Sequence, residues 1–199
     1  MFHIELSAGG FSKPPDWWYS KKALGGGAFY YWGPHAIDWV LDLKRTRMTG
    51  VTGFYHKLLW KDLDCEDHTR AIIRFNDGTS ADVCHSHVSL AGKPLWRILG
   101  TQGAIVDTGS GGNVGYEKTI TGPSGGSLTL TQRIGGQTKT TQVPYLDSDW
   151  VNYWHDMAAH VLDGGPAPVS GEEGRRTIAV FEAAEKSAAS GQTEPVAFE

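Results

Sequence analysis

Thr69-Arg70-Ala71-Ile72-Ile73-Arg74-Phe75-Asn76-Asp77-Gly78-Thr79 is the stretch on which the fold turns. Ala71, Ile73 and Phe75 alternate with Arg70, Ile72 and Arg74, the period of a strand with one buried face. Asn76-Asp77-Gly78 then supplies a hairpin, because Asp-Gly tolerates the positive φ angles of a tight reversal. The chain returns through Thr79 to Ser89. The same pattern spreads in both directions. Phe2-His3-Ile4-Glu5-Leu6 alternates from almost the first residue, and Met48 to Leu59 reads as a further strand. Downstream come Leu95–Leu99, the turn Gly100-Thr101-Gln102-Gly103, and Ala104–Asp107. Short strands at Tyr116–Thr121, Ser127–Arg133 and Gln137–Val143 follow between glycine-rich turns. This is a meandering, mainly antiparallel sheet.

Helices stand before and after the meander. Ser7 to Leu24 reads as an irregular segment, and Gly25-Gly26-Gly27 delivers the chain to Ala28-Phe29-Tyr30-Tyr31-Trp32-Gly33-Pro34. Proline suits a first helical position, so a helix is predicted from Pro34 to about Lys44. On it Ile37, Val40, Leu41 and Leu43 share one side, and His35, Asp38 and Asp42 the other. A histidine at a helix start feels the positive end of the macrodipole, which favours the neutral imidazole that a proton acceptor needs. Trp150, Trp154, Met157, Ala158, Val161 and Leu162 recur at helical spacing after Asp147 and Ser148, and Gly164-Gly165 ends that run. Ser170 and Glu173 form a capping box opening a last helix through Ile178, Phe181, Ala184 and Ala188. The fold class is therefore α+β: one domain over 1–199, a large open, predominantly antiparallel sheet with helices on one face. A bare sheet face carrying Val, Ile and Trp calls for a second subunit as its cover, so a homo-oligomer through the open face is expected.

Composition narrows the function. A net charge of -4 and a pI near 6.0 argue against nucleic acid, and no basic cluster exceeds Lys44-Arg45-Thr46-Arg47. The 2 cysteines imply no disulfide framework, and a reducing cytoplasm is the simplest setting. The start lacks a signal peptide's basic and apolar regions, and no apolar run approaches the roughly 20 residues of a membrane helix.

Cys84-His85-Ser86-His87 is the most metal-like string, since His85 and His87 share a strand face; Cys65, Glu66, Asp67 and His68 offer further ligands. A sheet face or subunit contact is the preferred reading of these histidines, because no His-rich third segment follows at ligand spacing. Gly109-Ser110-Gly111-Gly112-Asn113-Val114-Gly115 lies between strands and has valine where the dinucleotide fingerprint needs glycine, so it reads as a hairpin connection. Trp17, Trp18, Tyr19, Tyr30, Tyr31 and Trp32 bracket the glycine run and suit either a sugar-stacking surface or core anchors. Lys21 and Lys22 stand nearby, where they reach a hydroxylated ligand or form a solvated pair. His155 and His160 read as structural.

The order of these features resembles the Gfo/Idh/MocA oxidoreductases, the family of glucose–fructose oxidoreductase and inositol dehydrogenase. The resemblance rests on Asp16-Trp17-Trp18-Tyr19-Ser20-Lys21-Lys22, Gly25-Gly26-Gly27 and Trp32-Gly33-Pro34-His35-Ala36-Ile37-Asp38. It continues through Glu66-Asp67-His68-Thr69, Phe75-Asn76-Asp77-Gly78-Thr79, Ile98-Leu99-Gly100-Thr101-Gln102-Gly103 and Gly165-Pro166-Ala167-Pro168-Val169 to Ala183-Ala184-Glu185-Lys186-Ser187-Ala188.

The resemblance implies a C-terminal substrate-binding and oligomerisation domain without the N-terminal Rossmann domain that binds NAD or NADP. The chain alone is expected to bind no cofactor and to be inactive, because the family's Glu-Lys-Pro motif is also absent; Glu117-Lys118 and Glu185-Lys186 lack its proline. His35 matches the histidine that moves the substrate hydroxyl proton during hydride transfer. Tyr31 stands where many members carry an aspartate, and a phenol with a pKa near 10 is a poor base at neutral pH. Tyr31, Trp32, Lys22 and Asp38 are implied to line a pocket for a sugar, polyol or related hydroxyl or carbonyl substrate. The implied partners are a sugar-like small molecule and further copies of the chain, with no nucleic acid and no membrane. A non-catalytic assembly or ligand-binding module is the alternative, favoured by Tyr31. A metalloprotein built on His85 and His87 is a third.

Overall fold

The computed structural model describes residues 1–107, 121–122, 126–146, 148–149 and 151–199. The expected Gly109–Gly115 connection, most of the Tyr116–Thr121 strand, Glu117-Lys118, Asp147 and Trp150 lie outside the described residues. The strands are β1 (His3–Gly9), β2 (Met48–His56), β3 (His68–Phe75), β4 (Ser80–Ser86), β5 (Trp96–Gly100), β6 (Gly103–Asp107), β7 (Thr121–Gly122), β8 (Ser127–Ile134), β9 (Gln137–Pro144) and β10 (Ser148–Asp149). The helices are α1 (Lys22–Gly25), α2 (Ala28–Leu43), α3 (Val151–Asp163) and α4 (Gly171–Ser190). Eight strands form one sheet in the order β2-β3-β4-β1-β5-β6-β8-β9, and β7 pairs with β10.

The hairpin from β3 to β4 forms as its alternation requires. Ala71, Ile73 and Phe75 are buried, as are Ala81 and Val83 opposite them. One pairing departs from a simple meander: β1 runs parallel to β4, from His3 beside Ser80 to Gly9 beside Ser86, and antiparallel to β5. That pairing carries β1 three residues beyond Leu6, so the irregular segment starts only after Gly9. At its other end β2 stops at His56, short of the expected Leu59. The buried Asp67 carboxylate accepts the N–H groups of Leu58 (2.8 Å), Leu59 (2.6 Å) and Trp60 (2.9 Å), which turns the chain away from the ladder.

Helices α2 and α4 cover one face of the β1–β4 half. Their buried side chains (Phe29, Ile37, Val40, Val180 and Phe181) join Ile4, Leu6, Val51, Ile73 and Val83 in one core. Each such side chain contributes roughly 1.5–3 kcal/mol by leaving water. Gly53 makes the close seating possible, because a Cβ there would stand 2.0 Å from the Ala184 carbonyl oxygen of α4. Helix α4 opens with the expected capping box: Glu173 N–H donates to Ser170 Oγ (3.2 Å) and Ser170 N–H to Glu173 Oε2 (2.7 Å).

Helix α2 begins at Ala28, not at Pro34, which is an internal residue. An internal proline removes the bond to the carbonyl four residues earlier and costs about 3 kcal/mol. The loss is offset upstream. Phe29 is fully buried, with its ring 4.9 Å from Phe181 and 5.8 Å from Tyr55, and its N–H donates to Glu66 Oε1 (3.2 Å). Helix α3 matches the expected run from Trp154 to Leu162, but its apolar stripe is not buried; Trp154, Val161 and Leu162 are 67%, 70% and 79% exposed. The sheet face opposite α2 and α4 carries Arg70 bonded to Asp82 and Arg97 bonded to Glu5, an ionic ladder across β3, β4, β1 and β5. Among the described residues no helix is long and apolar enough to cross a membrane.

Candidate functional site

Helix α2 presents its chemistry along one stripe. Tyr31, His35, Asp38 and Asp42 recur at intervals of three and four, so their Cβ atoms stand about 5–6 Å apart along the axis. Tyr31, His35 and Asp42 are exposed and Asp38 is half-buried, while Phe29, Gly33, Ala36, Ile37 and Val40 turn inward. Because α2 starts at Ala28, His35 stands about two turns inside it. The dipole's effect falls off within the first turn, so the expected dipole-driven preference for a neutral His35 is removed. The Trp39 ring stands 6.3 Å away centre to centre, and the imidazole acts electrostatically on the Asp38 carboxyl. Partial burial pushes that carboxyl above its usual range, Glu173 and Asp42 push it further, and His35 opposes them. The stripe thus sets an imidazole beside a carboxyl whose charged form is disfavoured by partial burial and neighbouring carboxylates.

Tyr31 stacks on Tyr19 with ring centres 4.0 Å apart and planes 13° apart, and takes Trp18 edge-on at 6.2 Å. Trp32 leans towards the sheet instead. Its ring stacks on His85 of β4 at 5.6 Å and meets Trp39 edge-on at 6.0 Å, while Trp39 approaches Trp96 of β5 at 6.2 Å. These rings brace α2 against the sheet beside the stripe. Burial pushes the His85 imidazole down to about 3, with His87 and His68 adding to the effect, and burial pushes His87 down as well. The His85 and His87 rings lie 4.8 Å apart. Cys65, Glu66, Asp67 and His68 do not complete a ligand set with them: among the described residues no group of three or more His, Cys, Asp or Glu converges on a metal position.

Lys22 is committed elsewhere. Its Nζ lies 3.5 Å from Glu66 Oε2, 3.9 Å from Glu185 Oε1 and 5.8 Å from the centre of the Tyr55 ring. Tyr30 donates to Glu185 Oε2 at 3.1 Å, and its phenol is pushed up by burial and then by Glu185. Of the five residues named from sequence, the fold brings Tyr31, His35 and Asp38 into one stripe, sets Trp32 as a brace behind it, and places Lys22 in a carboxylate pair.

Glu66 is the residue that sequence reading missed as part of this region. It is 4% exposed, bonds the Phe29 N–H and draws in Lys22. Its carboxylate also fills the space at Gly27 (φ +114°), where a Cβ would stand 2.6 Å from Oε1. A glycine run leading into a helix otherwise offers a seat for phosphate. Here the seat is filled by the chain's own anion, so these residues do not fit the pyrophosphate of a dinucleotide.

The GFO/IDH/MocA C-terminal domain family matches residues 1–106 of the sequence. No curated protein matches it. Among solved structures, YPO2259 of Yersinia pestis superposes with a TM-score of 0.83 at 15% identity, over 100% of this chain and 57% of its own. An NAD-binding protein of Listeria innocua superposes with a TM-score of 0.76 at 20% identity, over 99% of this chain and 56% of its own. The aldose-aldose oxidoreductase of Caulobacter crescentus, solved with glycerol, gives 0.74 at 17%, over 98% of this chain and 55% of its own. The chain spans little more than half the length of these structures, and at such identities the likeness is one of fold.

Proposed function

This chain belongs to the GFO/IDH/MocA C-terminal domain family, and from that premise we propose that it is the substrate-binding and oligomerisation domain of an NAD(P)-dependent oxidoreductase. The substrate is a sugar, a polyol or a related hydroxyl or carbonyl compound. The observation that carries the reading is the Tyr31–His35–Asp38 stripe, with His35 exposed, beside its aromatic brace. His35 takes the hydroxyl proton of the substrate or returns it, Asp38 holds a hydrogen bond beside it, and Tyr31 offers a ring face and a phenol. General acid–base help of this kind is worth about 100- to 10,000-fold in rate. Hydride acceptance belongs to a nicotinamide cofactor held elsewhere in the enzyme, since Glu66 fills the space at Gly27, just before α2, where a phosphate would sit. The domain acts as one unit over 1–199 in a cytoplasmic enzyme, and its copies associate through the open sheet face. Among the described residues β9 is exposed along its whole length, which supports that association.

Titrating the isotope-labelled chain with aldoses and polyols tests the assignment by NMR. Shifts should gather on Tyr31, Trp32, His35 and Asp38. Shifts confined to β8 and β9, or micromolar binding of NADH to this chain by calorimetry, would overturn it. Light scattering should find an oligomer, and a clean monomer would remove the assembly part. A non-catalytic ligand-binding module is the second reading, favoured by Tyr31 in the family's aspartate position and covered by Tyr19. Turnover by a complete protein that is lost with His35→Gln would reject it.

A further inference from the structure

We propose that residues 13–25 form a strap latched by charge over Tyr31, which lifts as a unit and thereby uncovers the stacking face of that ring. Both ends of the strap are defined. Before it, the Gly10 N–H donates to the Ser86 carbonyl (2.8 Å) and the Ser12 N–H to the His87 carbonyl (3.1 Å), fixing the chain to the end of β4. After it come Gly26 and Gly27, with φ of +79° and +114°. Between these points the segment is knit to itself. Ser20, 1% exposed, donates from Oγ to the Pro15 carbonyl at 2.7 Å, and a Cβ at Gly25 would stand 2.5 Å from the Tyr19 Cα. It is a compact segment packed by its own side chains.

Its hold on the rest of the molecule is different in kind. Pro14 is its one buried apolar side chain, and no strap residue belongs to the main hydrophobic core. Instead, carboxylates at three alternate positions receive it. Asp62 takes Lys13 Nζ, Asp64 Oδ1 accepts the Lys22 N–H at 3.1 Å, and Glu66 takes Lys22 Nζ at 3.5 Å. The lysines and Asp62 are about half exposed or more. The Lys13–Asp62 pair is exposed, weak and screened by salt, whereas Glu66 is 4% exposed and its pair with Lys22 is screened less and depends on the lysine itself. Over the site the strap rests on the ring contact of Tyr19 with Tyr31, with Trp18 at its edge. The elements with weak apolar anchoring are the ones that open first. The inference stands on these contacts and is independent of any reaction at His35.

Fluorine NMR of the chain labelled with 3-fluorotyrosine tests it, with Tyr31→Phe and Tyr30→Phe used for assignment. The latched stack gives Tyr31 a ring-current displacement, and the stack of Tyr30 on buried Phe181, at 4.6 Å, is the internal control for the salt series. Raising ionic strength from about 0.1 M to about 1 M shortens the Debye length from about 10 Å to about 3 Å. The Tyr31 signal should then move towards the free-tyrosine position while Tyr30 stays. Lys22→Met, at a half-exposed side chain, should produce the same movement at low salt. A Tyr31 signal that stays displaced under both perturbations, or a Tyr30 signal that moves together with it as salt is raised, would overturn the latch.

Discussion

Replacing His85 by glutamine should flatten the acid dependence of stability, and the size of the change follows from the burial of this ring. Folded, the imidazole beneath Trp32 stays neutral down to about pH 3; unfolded, it takes up its proton near 6.5. Between those values the unfolded chain binds one proton more than the folded chain, so stability falls as pH falls. The contribution is intact above 6.5 and is lost progressively below it. One proton corresponds to about 1.4 kcal/mol per pH unit, so between pH 6.5 and about pH 5 His85 alone removes about 2 kcal/mol. His68 and His87, also pushed down by burial, act with the same sign and steepen the natural protein further. Urea unfolding followed by circular dichroism at several pH values measures the slope directly. His85→Gln also loses the ring stack and is less stable throughout, but that loss is common to all pH values and leaves the slope as the readout. A variant whose stability falls as steeply as the natural chain's between pH 6.5 and 5 would refute the argument that His85 is folded neutral.

Three substitutions test the frame around the site. Pro34→Ala restores an N–H for the Tyr30 carbonyl inside α2, and should raise stability by about 1–2 kcal/mol after allowing for the freedom returned to the unfolded chain, read as a higher urea midpoint. Asp67→Ala strands the N–H groups of Leu58, Leu59 and Trp60 and should cost about 3 kcal/mol or more, seen as a lower Tm. Burial favours the neutral form of Asp67, but those donors outweigh it and hold the carboxyl low. Gly53→Ala places a methyl group on the Ala184 carbonyl and should unseat α4, with loss of cooperative unfolding; a soluble variant of unchanged midpoint would contradict the packing.

The elements that could be read from the chain are those whose cause lies within a few residues. Alternation from Thr69 to Phe75, the Asp77-Gly78 reversal and the Ser170–Glu173 box are local devices, and each forms where expected. The stripe of His35 and Asp38 was likewise legible, because helical spacing is local. Resemblance added the family, which spacing could not. What stayed hidden depends on groups distant in sequence. Helix α2 starts six residues before Pro34 because Glu66, 37 residues from Phe29, supplies its acceptor. Tyr31 is covered because a strap is drawn down by Asp62, Asp64 and Glu66. His85 is neutral because Trp32 and the sheet enclose it, and no property of Cys84-His85-Ser86-His87 announces that burial. Local periodicity sets which face of an element is apolar. The protonation state of a buried ring and the first residue of a helix are set by which distant side chains arrive beside them, and that is a property of the packed chain.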